Sequence, residues 1–262
     1  MALTNQLGRK PRARNPRVPH LSAILAGRRR MLPAVPAGVD YGAVLPATGL
    51  GMFGNNQYGD CTCAGFYHAL QCWTANANPP IDTEPDAEAL ALYREMGWNG
   101  TDQGTGTDAG CVEQDVLQHA MLAGIPVANG SGRHRISAYI EIDPSNAADV
   151  KLAVYSAGLT YIGFNVPSYL PESPGATWDV QPGNASIAGG HCVIVVGYDD
   201  AGLNIISWGA KYRMTWAFWA EFVDEAYMLA DADWVRATGL DPAGQSLVAL
   251  EAQMDALRAQ GQ

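Results

Sequence analysis

The sequence predicts an α+β fold, with a helical first half facing a second half of antiparallel strands across a cleft. Three observations carry this reading. Apolar residues recur at helical spacing in three segments between positions 61 and 123. From Ile136 onward the period shifts to strand-like alternation. The segment HCVIVVGYDDAGLNIISWG reads as two apolar strands around a turn at Asp199 to Gly202.

The chain opens on a basic arm, residues 1–38. Arg9, Lys10, Arg12, Arg14, Arg17 and Arg28 to Arg30 supply eight of the 16 basic residues, and the first acidic residue is Asp40. The arm carries +8, while the rest, with eight basic against 26 acidic residues, carries −18. Arm and body therefore attract each other. Pro11, Pro16, Pro19, Pro33 and Pro36 restrict helix to a short piece within 20–31 and predict an otherwise extended segment. Leu21, Ile24 and Leu25 form one apolar anchor at helical spacing, expected to sit in a groove with Arg28 to Arg30 near carboxylates. Such charge pairs, partly exposed, should each contribute little and weaken with salt.

A turn-containing lead-in over 39–53 delivers the chain to a helix that starts near Cys61 and ends between 76 and 80. Pro85 opens a second helix, 86–96, and Gly124 closes a third, 112–123. A strand over 136–142, a helix over 146–157 and a strand over 159–166 follow, then a loop rich in Pro and Gly, 167–190, before the hairpin. Residues 215–229 carry Trp216, Phe218, Trp219, Phe222 and Tyr227 and read as core. At 245–260, Leu247, Leu250, Met254 and Leu257 describe an amphipathic helix that must cover the body or a partner. The expected units are the arm (1–38), a main domain (39–240) and a tail helix (241–262).

Composition narrows the function. There is no run of 18 apolar residues and no apolar core in MALTNQLGRKPRARN, so neither a membrane span nor a signal peptide is expected, and a cytoplasmic or virion-associated location is. Cys61, Cys63, Cys72, Cys111 and Cys192 are odd in number and lack ligand spacing, so reduced thiols are expected, with no metal and no cofactor. The arm has no interleaved aromatics for base stacking and the body repels phosphate, which disfavours nucleic acid. A protein partner or larger assembly, contacted through residues 1–38 and 245–260, fits better.

The stretch GNNQYGDCTCAGFYHALQCW holds the candidate chemistry. A Gly-bearing polar turn runs into a helix through two cysteines, and a thiol in a first helical turn has free N–H groups and the positive dipole end beside it. Cys63, Phe66, Leu70 and Trp73 share a bulky stripe; Cys61, Ala64, Gly65 and His68 share a face of smaller residues.

The turn with Asn55 and Gln57, the Cys at a helix start, and later GGHCVIVVGYD followed by a strand ending in SWG together resemble papain-like cysteine peptidases. VDYGAVLP, CVEQDVLQHAMLAGI and GLTYIGFNVP resemble further segments of that family, so the likeness spans 39–216. Chains with the GDCTCA and SWG signatures also resemble papain-fold proteins of bacteria and phages. The resemblance implies a thiol hydrolase acting on peptide or other amide bonds, with His191 as the imidazole partner of a cysteine. Family spacing puts an oxyanion-binding amide six residues before the nucleophile, a fit for Asn55 with Cys61 and for Gln57 with Cys63. Cys61 is preferred, because its face leaves room for a substrate and GDC resembles the nucleophile turn of calpain-type peptidases; Cys63 with Gln57 is the alternative set. Where the family has Asn before SWG, this chain has Ile206, and Asn204, one pleat away, is the expected substitute. The departure at Ile206 also admits a second reading, a catalytically weak or inactive structural or binding component of an assembly such as a phage virion.

Overall fold

The computed structural model describes residues 3–243 except 14, 27–33, 78–80, 129–131, 184–185, 232–233 and 235–240. The expected tail helix and Arg28 to Arg30 lie outside the described residues. Six helices and ten strands follow in the order α1 (Leu21–Ile24), β1 (Val39–Asp40), α2 (Cys61–Ala77), α3 (Asp86–Glu95), α4 (Glu113–Leu122), β2 (Ile125–Pro126), β3 (Arg133–His134), β4 (Ala138–Ile142), α5 (Ala147–Ala157), β5 (Thr160–Pro167), β6 (Thr177–Trp178), β7 (Ile187–Tyr198), β8 (Gly202–Ser207), β9 (Ala210–Thr215), α6 (Trp216–Phe222) and β10 (Val223–Ala230) among the described residues. The α+β class is as expected. Strand β9 was not, although its residues alternate between buried and half-buried, and residues 215–229, read only as core, divide into α6 and β10.

The main sheet runs β4-β10-β5-β7-β8-β9-β6, with β1 added to the far end of β7. Every pairing is antiparallel except that of β6 with β9. Alternation sorts its side chains onto two faces. On one face Tyr161, Cys192, Ile194, Val196 and Ile206 join Phe66 and Trp73 of α2 and Leu92 of α3 in one apolar cluster. On the other, Phe164, Val193, Val195 and Ile205 join α5 and α6 in a second cluster. Strands buried on both sides explain why β7 reads as a continuous apolar run rather than an alternating one.

Local rules set the helix ends. Asn146 caps α5 by accepting the Asp149 N–H, and Gly158, at φ 80°, ends it in the left-handed conformation. Thr215 caps α6 through the Phe218 N–H. The arm's apolar anchor docks as expected: Leu21 and Leu25 are buried in the second cluster, and the Glu141 N–H of β4 bonds Pro19 O at 2.9 Å. Ile24 points outward, 39 % exposed.

Candidate active site

Cys61 begins α2. The N–H groups of Cys63 and Ala64 both bond Asp60 O, at 2.7 and 3.0 Å, so the helix starts at the thiol and its positive end lies beside it. The Cys61 side chain is buried, with the backbone N–H groups of Cys192 and of Gly8 of the arm beside its sulfur. The first belongs to the peptide joining His191 to Cys192. Burial pushes the thiol up to about 12, and those two amides pull the other way.

Residues 6–10 of the arm therefore cross the thiol as an extended strand. Gln6 N–H bonds Asn55 O at 3.2 Å, and Arg9 N–H bonds Gly190 O at 3.0 Å, directly before His191. Cys111 N–H bonds Gly8 O and Lys10 N–H bonds Cys111 O, both at 2.9 Å, which pairs Arg9 with Cys111 in parallel. Glycine is dictated here by close approach: a Cβ on Gly8 would collide with the Gly59 carbonyl, and one on Gly110 with the Gly8 carbonyl. Upstream, Glu172 accepts from Thr4 and Asn5; downstream, Arg12 and His20 pair with the buried Glu141.

His191 sits on β7 with its ring buried. Its Nε2 is 2.8 Å from Ser207 Oγ, its plane stacks on Trp208 at 4.6 Å, and Phe164 meets it edge-on. Trp208 adopts φ 45° and Gly209 φ 68°, the left-handed turn that brings the indole over the imidazole. Nδ1 has no hydrogen-bond partner among the described residues, so neither Cys61 nor Cys63 bonds it in the arm-docked state. Burial first, then the nearby charge of Arg9, lowers the His191 pKa to about 3. Thiol and imidazole are thus both neutral while the arm is in place.

The other sequence candidates sort as follows. Asn55 is buried at the turn, its Nδ2 donating to Tyr58 O at 3.0 Å, while Gln57 is exposed. Cys63 is buried as well, and burial first, then the neighbouring Cys111, raises its pKa. Asn204 does not approach the imidazole: its Oδ1 accepts from Arg213 Nη1 at 2.5 Å. The cause is strand parity. Ile206 points into the cluster under α2, and Asn204, two residues away, shares its side, whereas Ser207 points to the side of Phe164, Trp208 and His191.

Sequence reasoning missed Ser207, although it stood inside SWG and on the opposite pleat from Ile206. It also gave Arg9 no particular place, the partly exposed pairs being expected of Arg28 to Arg30, outside the described residues. Arg9 is buried, with Nη1 at 2.7 Å from Asp224 Oδ1 and 2.5 Å from Glu225 Oε1, because the body offers an acidic well there. No local pattern in the sequence links Glu113, Asp224 and Glu225 to residue 9.

The fold is papain-like. Xylellain, a cysteine protease from Xylella fastidiosa, matches with a TM-score of 0.64 over 88 % of this chain and 98 % of its own at 14 % identity. Procathepsin B S9 from Trypanosoma congolense matches at 0.60 over 87 % of each chain with 10 % identity. Procathepsin L 3 from the larval midgut of Tenebrio molitor matches at 0.56, covering 84 % of this chain and 75 % of its own at 18 % identity. Neither a protein-family model nor a curated protein matches the chain by sequence.

Proposed function

We propose that the chain is a papain-like thiol hydrolase acting on peptide or other amide bonds, with Cys61 as nucleophile and His191 as its acid–base partner, held latent by its own arm. The observation that carries this reading is the arm itself. An extended polypeptide lies with the Gly8 amide on the Cys61 sulfur and backbone bonds to Cys111 and Gly190, so the groove accepts peptide backbone at the thiol.

With the arm displaced, water enters and the charge of Arg9 leaves. Hydration favours both charged forms and outweighs the loss of the Gly8 amide at the thiol, while loss of the Arg9 charge raises the imidazole pKa further; proton transfer from Cys61 to His191 then becomes feasible. The thiolate then attacks the substrate carbonyl carbon. The free N–H groups at the start of α2, with the Asn55 amide once it turns from Tyr58 O, would hold the oxyanion in this reading. The imidazolium gives its proton to the leaving amine, and a thioester on Cys61 remains. Water, deprotonated by His191, releases the acid and restores the thiol. Ser207 and Trp208 fix the ring plane through both steps. Supporting Cys61 over Cys63 is contact: Cys61 meets the arm and the His191–Cys192 peptide, and Cys63 meets Cys111.

The test uses the full chain carrying Gly8→Ala, which the Gly59 carbonyl forces out of the groove. It should cleave casein or a mixed fluorogenic peptide pool, and Cys61→Ser in the same background should abolish cleavage. Equal cleavage with Cys61→Ser, or none by the Gly8→Ala chain with its groove open to alkylation, would refute the assignment.

A further inference from the structure

The well that holds Arg9 is built entirely by the body. Glu113 comes from the start of α4, Asn165 from β5, and Asp224 and Glu225 from β10. Asp224 grips the guanidinium at both ends, Nη1 to Oδ1 at 2.7 Å and Nη2 to Oδ2 at 3.1 Å, a fork geometry that an ammonium cannot copy. Glu225 takes Nη1 as well, and its other oxygen accepts the Tyr227 hydroxyl at 2.9 Å; Asn165 Oδ1 lies 3.3 Å from Nη2. Glu113 is wholly buried beside these groups, with neither carboxyl oxygen hydrogen-bonded among the described residues.

Two glycines make the room. A Cβ on Gly163 would lie 2.5 Å from Glu113 Oε1 and 2.6 Å from the Arg9 side chain, and one on Gly190 would lie 2.6 Å from the Arg9 carbonyl. Asp224 and Glu225 pair with Arg9, while burial pushes the Glu113 carboxyl beside them well above the usual carboxylate range. The mouth of the well opens one residue from Gly8, whose N–H meets the Cys61 sulfur. The well thus combines depth, planar recognition and acid groups beside the proposed nucleophile, and the arm fills it as a ligand would.

We propose that this well is the specificity pocket of the site and selects polypeptides bearing arginine next to the bond to be cleaved, with Arg9 as its resident occupant. The proposal rests on the hydrolase reading for the word "cleaved", but the recognition itself does not. Asp224 supplies the planar, bidentate recognition at the exposed mouth, and the buried Glu225 beneath it disfavours uncharged isosteres, which would leave that acid without its counter-charge.

The test uses full-length Arg9→Ala. N-acetyl-argininamide, followed by calorimetry and by the shift in melting temperature, should bind this variant at least about tenfold more tightly than N-acetyl-citrullinamide or N-acetyl-lysinamide, and should not bind the wild-type chain. Adding Asp224→Asn, at a half-exposed position, should cost about tenfold or more. If Arg9→Ala does not fold unaided, argininamide and not citrullinamide should restore its refolding. Equal binding or equal rescue by the citrulline compound overturns the pocket. In parallel, internally quenched peptides with Arg, Lys, Leu or Glu at each position are offered to the Gly8→Ala chain. Cleavage without preference for arginine also overturns the pocket. Selective argininamide binding with no cleavage of any peptide leaves the pocket standing and removes the hydrolase reading instead.

Discussion

Ser207 Oγ lies 2.8 Å from His191 Nε2, so the imidazole is oriented by a hydroxyl rather than by an amide or carboxylate. A hydroxyl can donate or accept and therefore fixes the ring plane without fixing the tautomer. In the Gly8→Ala background, Ser207→Ala should lower kcat by about 10- to 100-fold with KM little changed, and Ser207→Thr should retain most of the rate. An unchanged kcat in Ser207→Ala would remove the positioning role.

Ile206→Asn tests the family's usual geometry. In this chain Ile206 is fully buried under α2 and faces Ile194, so an amide there meets no partner. The substitution should cost about 2–4 kcal/mol of stability and restore no activity, contrary to what the sequence suggests when strand parity is ignored. Urea unfolding of the variant measures it, and a more active, equally stable protein would contradict the placement.

Alkylation reads which thiol the arm guards. In Gly8→Ala, iodoacetamide near neutral pH should modify Cys61 at least about tenfold faster than in the wild type, with Cys63 unchanged, as mapped by peptide mass spectrometry. His191→Ala in that background should slow the reaction. Faster labelling of Cys63 would reverse the assignment.

Two buried histidines make stability depend on pH. Burial lowers the His191 pKa to about 3 and the His68 pKa to about 4, both below the ordinary value of 6.5. The unfolded chain takes up these protons first, so the stabilising contribution is complete above pH 6.5 and declines as pH falls from there toward 4. Each histidine adds about 1.4 kcal/mol per pH unit to the slope in that window. His68→Gln should remove about half of the slope seen in urea titrations between pH 6.5 and 4.

Salt should separate the arm's two kinds of charge contact. Arg12 pairs with Glu141 while 29 % exposed and is open to screening, but the Arg9 side chain is 1 % exposed and largely shielded from it. Raising NaCl to about 1 M should leave wild-type Cys61 protected from alkylation. Release at that concentration would show that surface charge, rather than the well, holds the arm.

Much of the fold was legible because its signals are local. Pro85 and Gly124 mark helix limits, Asn146 and Gly158 bracket α5, and the GGHCVIVVGYD hairpin announces itself through apolar runs around a turn. What stayed hidden depends on pairing between distant segments. Ser207 became visible only once β8 had a register, since a shift of one residue exchanges its face with that of Ile206. The acidic well draws on α4, β5 and β10, over a hundred residues apart in sequence. Opposite charge predicted that arm and body attract, but not that one arginine would be swallowed whole.

Because Arg9 belongs to the same chain as the groove it fills, any outside peptide competes with an intramolecular rival whose effective concentration is of millimolar order, before its anchor at Leu21 and Leu25 is counted. A substrate that binds the open groove with micromolar affinity would then show no saturation at micromolar dose. For the proposed hydrolase, turnover would be set by how often the tether lets go, so a cut between Lys10 and the anchor should change the apparent affinity for a groove-binding peptide by orders of magnitude without altering a residue of the groove.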